Sequence, residues 1–303
     1  MSLYELYNKL MQGVQQASKV MGMNRRNLGY VYPNNPRRYF AYANDKLLTK
    51  RTLAKAGLNI PKTYLSVSYF YELQKVESKL CQLNSFVIKP ASGSGGNGIV
   101  VIVDYQDDKW ISISGKVYTF EMIKKHIADT IFGIFSFGIN DTAIIEERVI
   151  QDEHITKLSP QGLADIRMIN YKGENVKAML RIATEASDGK ANLHQGGIGL
   201  AIDLKSGKSF SAQIQRENVT HHPDSGEPLL DIQIPYWQEL STLCEAVAEI
   251  IPMGYLGIDI AISEKGPIIL EVNARPGIEI QNISDEGMID ILESIDRRVR
   301  CVS

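Results

Sequence analysis

Four glycines crowd into six positions of the segment FVIKPASGSGGNGIVVI: Gly93, Gly95, Gly96 and Gly98. The run after them restricts the fold more than the glycines do. A dinucleotide-binding turn needs a helix here, because the helix N-terminus holds the pyrophosphate, whereas Ile99 to Val103 is an uninterrupted β-branched run that reads as a strand. The arrangement is strand, glycine loop, strand. Backbone amides of such a hairpin can close over phosphates with no side chains in the way. The protein-kinase pattern GxGxxGxV is met from Gly93 to Val100, yet kinases carry their lysine on a later strand, followed by HRD and DFG, and none of these occurs. Lys89 instead precedes the loop, which places its ammonium at the root of the flap.

A second constraint lies in GYLGIDIAISEKGPIILEVNARPG, two apolar runs separated by Ser-Glu-Lys-Gly. A three-residue loop, Glu264 to Gly266, puts glycine at the left-handed position such loops favour. Ser263 then faces Pro267, Asp259 faces Glu271, and Asn273 joins Glu271 on one face two residues along. Opposed carboxylates repel unless a cation lies between them. Three hard oxygen donors, with positions open to phosphate oxygens and water, suit Mg²⁺. Two solvated acids on an edge hairpin are the plainer alternative, and the apolar flanks count against it.

Leu3, Leu6, Leu10, Val14, Ala17 and Met21 recur at helical steps, so residues 3 to 21 read as an amphipathic helix. The stretch NRRNLGYVYPNNPRRYFAYANDK reads as an irregular connection whose four arginines either form a solvated face, the favoured reading, or reach a substrate. Residues 45 to 56 form a helix with Asp45 as N-cap and Gly57 at its end. A strand-rich region runs from Ser85 to about Leu204, interrupted by a helix near residues 119 to 130. Helices are expected over Pro235 to Ile250 and from about Asp285, with two strands between. The most apolar run, Ile131 to Ile139, is far short of the ~20 residues of a membrane helix and reads as a buried core segment. Arg167 and Arg181 fall on strands either side of the turn Lys172 to Asn175, where alternation expects at least one in solvent. Strands and helices alternate irregularly, which is an α+β pattern.

A net charge of -2, from 33 basic and 35 acidic residues, supplies no electropositive field for a phosphate backbone, so nucleic acid is not an expected partner. Cys81, Cys244 and Cys301 form no CxxC pair and suggest neither a zinc site nor a disulfide framework, which suits a reducing cytoplasm. Glu5 and Lys9 interrupt the apolar stretch a secretory signal needs, and no membrane span is expected.

The segments ADIRMINYKGENVKAMLRIATEASDGKANLHQGG and PIILEVNARPGIE carry DIR, NLHxGG and EVNxxPGxE in order. With the flap, they make the chain from about Asp45 to Gln281 resemble the ATP-grasp superfamily. Within it the resemblance is to the ribosomal-protein glutamate ligase (RimK-like) group, and most of all to the alpha-L-glutamate ligase-like proteins. The resemblance implies two α+β subdomains clasping ATP, here residues 45–145 with the flap and 146–303 with the metal site. A short helical segment, residues 1–44, stands in place of the usual N-terminal α/β domain.

It further implies that Lys46 and Lys89 touch ATP phosphates and that Ser92 to Gly98, with Gly95 and Gly96, cover them. IIEERV would read adenine through Glu146 or Glu147 and the backbone near Val149. Asp165 is the motif position for the ribose carboxylate, with Glu153 the alternative by the spacing of D-alanine ligases. Lys190 and Asn192 would contact the nucleotide, and Asp259, Glu271 and Asn273 would bind Mg²⁺ or Mn²⁺. Arg167 and Arg181 would hold a substrate carboxylate and the transferred phosphate, since a planar guanidinium grips such oxygens in pairs. Arg275 stands where the glutamate ligases carry a small residue and joins these two as a candidate catalytic residue.

The implied activity is an ADP-forming carboxylate-amine ligase working through an acyl phosphate. Its donor would be a carboxylate such as glutamate, its acceptor an amine or peptide, and a homo-oligomer is compatible with it. A kinase that releases its phosphorylated product, or a non-catalytic ATP-binding module, is the alternative.

Overall fold

The structure, a computed structural model, describes residues 18–93, 95–187 and 189–302. Most of the amphipathic pattern of residues 3 to 21 therefore lies outside the described residues. The chain divides into two compact units. One runs from Asn44 to Ile150; the other combines residues through Ala43 with those from Gln151 onward.

The Asn44–Ile150 unit opens with the helix Lys46–Lys55, capped as the sequence predicts: the Asp45 carboxylate accepts from the amides of Leu47 and Leu48, and Gly57 comes after the helix with φ +77°. Six strands form its sheet: β1 (Thr63–Val67), β2 (Phe86–Pro90), β3 (Val100–Gln106), β4 (Lys109–Ser112), β5 (Val117–Tyr118) and β6 (Ala143–Glu146). Their order is β1-β6-β2-β3-β4-β5. β2 and β3 pair antiparallel with Ile88 opposite Val100, so the glycine loop joins two strands as expected. The helix Phe120–Ile131, capped by Thr119, buries Ile123, Ile127 and Ile131 in a core shared with Phe86, Ile88, Ile102 and Trp110.

One expectation fails in this unit. Ile131 is buried, but Phe132, Ile134, Phe137 and Ile139 are 60, 67, 88 and 71% exposed. The helix stops at Ile131, and Gly133 and Gly138 then turn the chain with φ +79° and +77°. Apolar residues in a tight turn have no regular face to lay on a core, so apolarity alone does not bury them.

The second unit is built on seven strands: β7 (Asp165–Tyr171), β8 (Glu174–Ile182), β9 (Ile198–Ile202), β10 (Ser209–Ile214), β11 (Glu217–Asn218), β12 (Tyr255–Ser263) and β13 (Gly266–Asn273). They lie in the order β11-β10-β9-β8-β7-β12-β13, every neighbouring pair antiparallel. The helix Trp237–Ile250 packs on β7, β8, β12 and β13. A separate cluster unites Ile169, Tyr171, Met179 and Tyr255 with Ile280 and Ile283 of the short helix Ile280–Ser284 and with Leu292 and Ile295 of the helix Ile289–Val302. The last helix thus begins at Ile289 rather than near Asp285, because Asp285 itself turns with φ +51° after the short helix.

Residues 23–44 also differ from expectation. Instead of an irregular connection they form consecutive helical turns, including a π-helical stretch over Arg26–Val31. Of their arginines, Arg26 is buried and donates to the carbonyl of Pro276, while Arg25 pairs with Glu293. Asn35 fixes this segment to the sheet: its amide nitrogen donates to the carbonyls of Tyr255 (2.7 Å) and Ala274 (3.0 Å), and its oxygen accepts from the Tyr255 amide (2.9 Å). One buried side chain so clamps the start of β12 to the end of β13. Asn35→Ala leaves those buried groups unpaired and is expected to cost about 2–3 kcal/mol, seen as a lower denaturation midpoint with an unchanged slope.

Candidate active site

In the Asn44–Ile150 unit the flap is seated at both ends. Gly95, Gly96 and Gly98 have φ of +67°, +78° and +77°, the left-handed conformation that glycine adopts without a side-chain clash. At the entry, the Ser92 amide donates to both Asp141 carboxylate oxygens at 3.1 and 2.9 Å, and Lys46 Nζ donates to the Gly93 carbonyl at 2.6 Å. At the exit, His126 Nε2 bonds the Gly98 carbonyl at 2.9 Å and the Phe135 ring fills the space where a Gly98 side chain would lie.

Below the flap, Lys89 on β2 and Lys50 on the helix Lys46–Lys55 converge on Glu146 of β6. Their ammonium nitrogens lie 2.5 and 2.9 Å from its two oxygens, with all three side chains at most 10% exposed. Burial alone would raise the Glu146 carboxyl, but Lys89 and Lys50 outweigh it and hold it below the usual carboxylate range. Burial acts the other way on Lys50 and lowers it despite the carboxylate partner.

In the other unit, strand register gathers the remaining chemistry onto one sheet face. Arg167 of β7 lies opposite Asp259 of β12, Asp165 opposite Arg181 of β8, and Asp259 opposite Glu271 of β13. The last pairing matches the sequence expectation by a different route. Ser263 pairs with Gly266 rather than Pro267, so the loop is one residue tighter, and a bulge beside Asp259 that passes over Leu270 restores the register.

Arg167 grips Asp259 with two bonds, Nε to Oδ1 at 2.7 Å and Nη2 to Oδ2 at 2.5 Å. Arg181 donates through Nε to Asp165 (2.6 Å) and through Nη2 to Asp259 (2.9 Å), and Asn273 Nδ2 lies 3.3 Å from the same Asp259 oxygen. Both arginine side chains are about 85% buried, so neither points into solvent as alternation suggests; each is held by an aspartate on a neighbouring strand. Burial raises both carboxyls. At Asp259 the two guanidinium groups overcome it and bring the group down to about 2, whereas Asp165, helped by Arg181 but facing the charge of Asp259, is pushed up to about 6.

By ligand type Asp259, Glu271 and Asn273 suit Mg²⁺, but Asp259 would have to release arginine donors to bind it, because Oδ1 accepts from Arg167 and Oδ2 from Arg167, Arg181 and Asn273. Glu271 and Asp259 stand opposite one another, and Asn273 turns its amide nitrogen towards Asp259, which leaves its carbonyl oxygen to act as a ligand. Among the described residues, no group of three His, Cys, Asp or Glu side chains could hold a metal.

The family model for sugar-transfer associated ATP-grasp proteins matches residues 25–297. This chain belongs to the ATP-grasp family. It is 24% identical over 251 residues to a probable alpha-L-glutamate ligase of Trichodesmium erythraeum, covering 82% of this chain and 62% of that protein. It is likewise 24% identical over 248 residues to the ribosomal protein bS6–L-glutamate ligase of Salmonella paratyphi B, covering 82% and 61%. The chain thus spans about three-fifths of the length of the curated relatives it matches. Among solved structures, phosphoribosylamine–glycine ligase from Thermotoga maritima shares the fold with a TM-score of 0.55 at 15% identity, covering 87% of this chain and 56% of the other.

The other residues singled out in this ATP-grasp chain fall in different settings. Glu147 accepts from the Lys62 amide at 3.2 Å beside its own backbone bond to the Lys62 carbonyl. Val149 comes after β6 in the same connection, and Glu153 opens the helix Glu153–Leu158 on the surface. Asn192 caps a short turn by accepting from the His194 amide, just beyond Lys190. Arg275 lies over the rings of Tyr32 and Phe40, at 5.5 and 4.9 Å from their centroids. Sequence reasoning misses Lys50, Asp141, His126 and Phe135. Lys50 carries a signal, since it sits four residues after Lys46 on one helix face; the other three act through contacts distant in sequence. Glu146→Gln would remove the one negative charge shared by two buried ammonium groups, though Lys50 keeps its bond to the Pro61 carbonyl, and is expected to cost about 3 kcal/mol in urea unfolding. Because the folded Glu146 carboxyl is depressed, its stabilisation is present above the ordinary carboxylate value of 4.5 and fades as pH falls below it, a fading the variant should lack.

Proposed function

We propose that the chain is an ATP-dependent ligase that joins a carboxylate to an amine through an acyl phosphate and releases ADP and phosphate. The acid would be an amino acid such as glutamate, and the amine would belong to a peptide or small molecule. The observation that carries this reading is the paired guanidinium groups of Arg167 and Arg181, each tethered to Asp259 on the face that also bears Glu271 and Asn273. The similarity to proteins named as glutamate ligases supports the same reading at low identity.

In the first step an oxygen of the acid attacks the γ-phosphorus and ADP leaves. In the second the amine nitrogen attacks the acyl carbon, phosphate departs with the acid's oxygen, and the nitrogen gives up a proton. Both steps gather negative charge on oxygen, so fixed positive groups and amide donors do most of the work. Lys89, Lys46 and the flap amides would receive phosphate oxygens, with Lys89 exchanging its Glu146 partner for them. Arg167 and Arg181 each commit Nε and Nη2 to aspartates, which fixes the guanidinium planes and leaves Nη1 for a carboxylate or phosphate oxygen. Asp259, Glu271 and Asn273 would hold Mg²⁺, with Asp259 giving up part of its arginine contacts to do so, and the ion when bound neutralises phosphate charge.

Two measurements test this. With oxygen-18 in the donor carboxylate, one labelled oxygen is expected in the released phosphate; label retained wholly in the acid while amide forms would exclude an acyl phosphate, and phosphate left on an organic product would make the protein a kinase. Glu271→Ala is expected to abolish Mg²⁺-dependent ADP formation with the melting temperature held, and persistent turnover would remove Glu271 from the metal site.

A further inference from the structure

Seven large apolar side chains of the Asn44–Ile150 unit stand in solvent on two neighbouring segments. Tyr69, Phe70 and Tyr71 are 61, 45 and 69% exposed, beside the exposed Phe132, Ile134, Phe137 and Ile139. The segments touch through the rings of Phe70 and Phe132, 4.8 Å apart, and Tyr69 stacks on Tyr71 at 5.7 Å. We propose that this surface is where a second copy of the chain docks, in a two-fold contact that brings residues 132–139 of both copies together.

The area is right for such a contact. At roughly 150–200 Å² for each large side chain, the exposed share comes to the order of 800 Å². That sum is comparable with the ~800 Å² per partner of a stable interface. Charge favours a protein over a lipid surface. Residues 68–71 and 132–140 contain no Lys, Arg, Asp or Glu, so the two segments themselves carry neither basic groups for lipid headgroups nor like charge to oppose self-pairing. Aromatic enrichment with charge depletion is the composition of an interface core.

The loop is also built rather than slack. Its amides are bonded internally, Ser136 and Gly138 to the Gly133 carbonyl and Ile139 to that of Ser136, and the Ser136 hydroxyl donates to Asp141. Phe137 is held at φ +55°, uncommon for a bulky residue, with its ring 88% exposed. The Phe137 ring itself is exposed rather than packed in this unit, so a partner that buries it would gain its apolar area. The same loop supplies Phe135 and Asp141 to the seat of the flap, so docking would bear on both flap roots.

Phe137→Asn tests the proposal without threatening the fold, since asparagine tolerates the left-handed conformation while removing the ring. Sedimentation velocity across a concentration series should show wild-type dimers that dissociate on dilution. Phe137→Asn and Ile134→Glu should each weaken association about tenfold or more with an unchanged melting temperature. A wild-type protein that stays monomeric at the highest concentration, or a dimer indifferent to both substitutions, overturns the proposal. A monomer that co-sediments with phosphatidylcholine vesicles only when Phe137 is present would assign the surface to lipid instead.

Discussion

The pairing of β7 with β12 sets Arg167 directly opposite Asp259, and the rest of the candidate chemistry in that unit depends on it. A buried carboxylate gripped by a guanidinium fork is tolerable only when both groups keep their partners. Arg181 reaches the same oxygen from one side and Asn273 from the other, so four strands contribute to one hydrogen-bonded face. The sheet therefore cannot slip by one residue without burying unpaired charge, and the register that fixes the fold also fixes the site.

The Asn44–Ile150 unit solves a similar problem with the opposite sign. Two ammonium groups share one carboxylate, Glu146, and burial depresses Lys50 even with that partner present. An anion arriving near Lys89 would relieve this crowding of positive charge, which is why the ion cluster suits a phosphate-binding role. Above it, three glycines of the loop adopt left-handed conformations between two well-bonded roots, so the flap rises from a fixed base.

Much of this is legible in the chain alone. The glycine spacing with a strand on either side, the acids at 259 and 271, and the DIR and EVNxxPGxE segments identify the family and the facing carboxylates, because strand alternation and turn chemistry are local rules. The predicted register is right through an incorrect loop, since a bulge at Leu270 offsets a tighter turn; neither has a distinct sequence signal. The run Ile131 to Ile139 misleads for a related reason: hydrophobicity reports the cost of exposure but not whether an element provides a face to bury it.

The strand–loop–strand flap, the capped helix Lys46–Lys55 and the acid hairpin are written in the chain, because each depends on residues within a few positions of one another. Folding was needed to show that Lys50 joins Lys89 at Glu146, that Asp141 and His126 seat the flap, that Asn35 clamps β12 to β13, and that both arginines turn inward. Those contacts join residues far apart in the chain, and their strength comes from shared burial, which exists only once the sheets have formed.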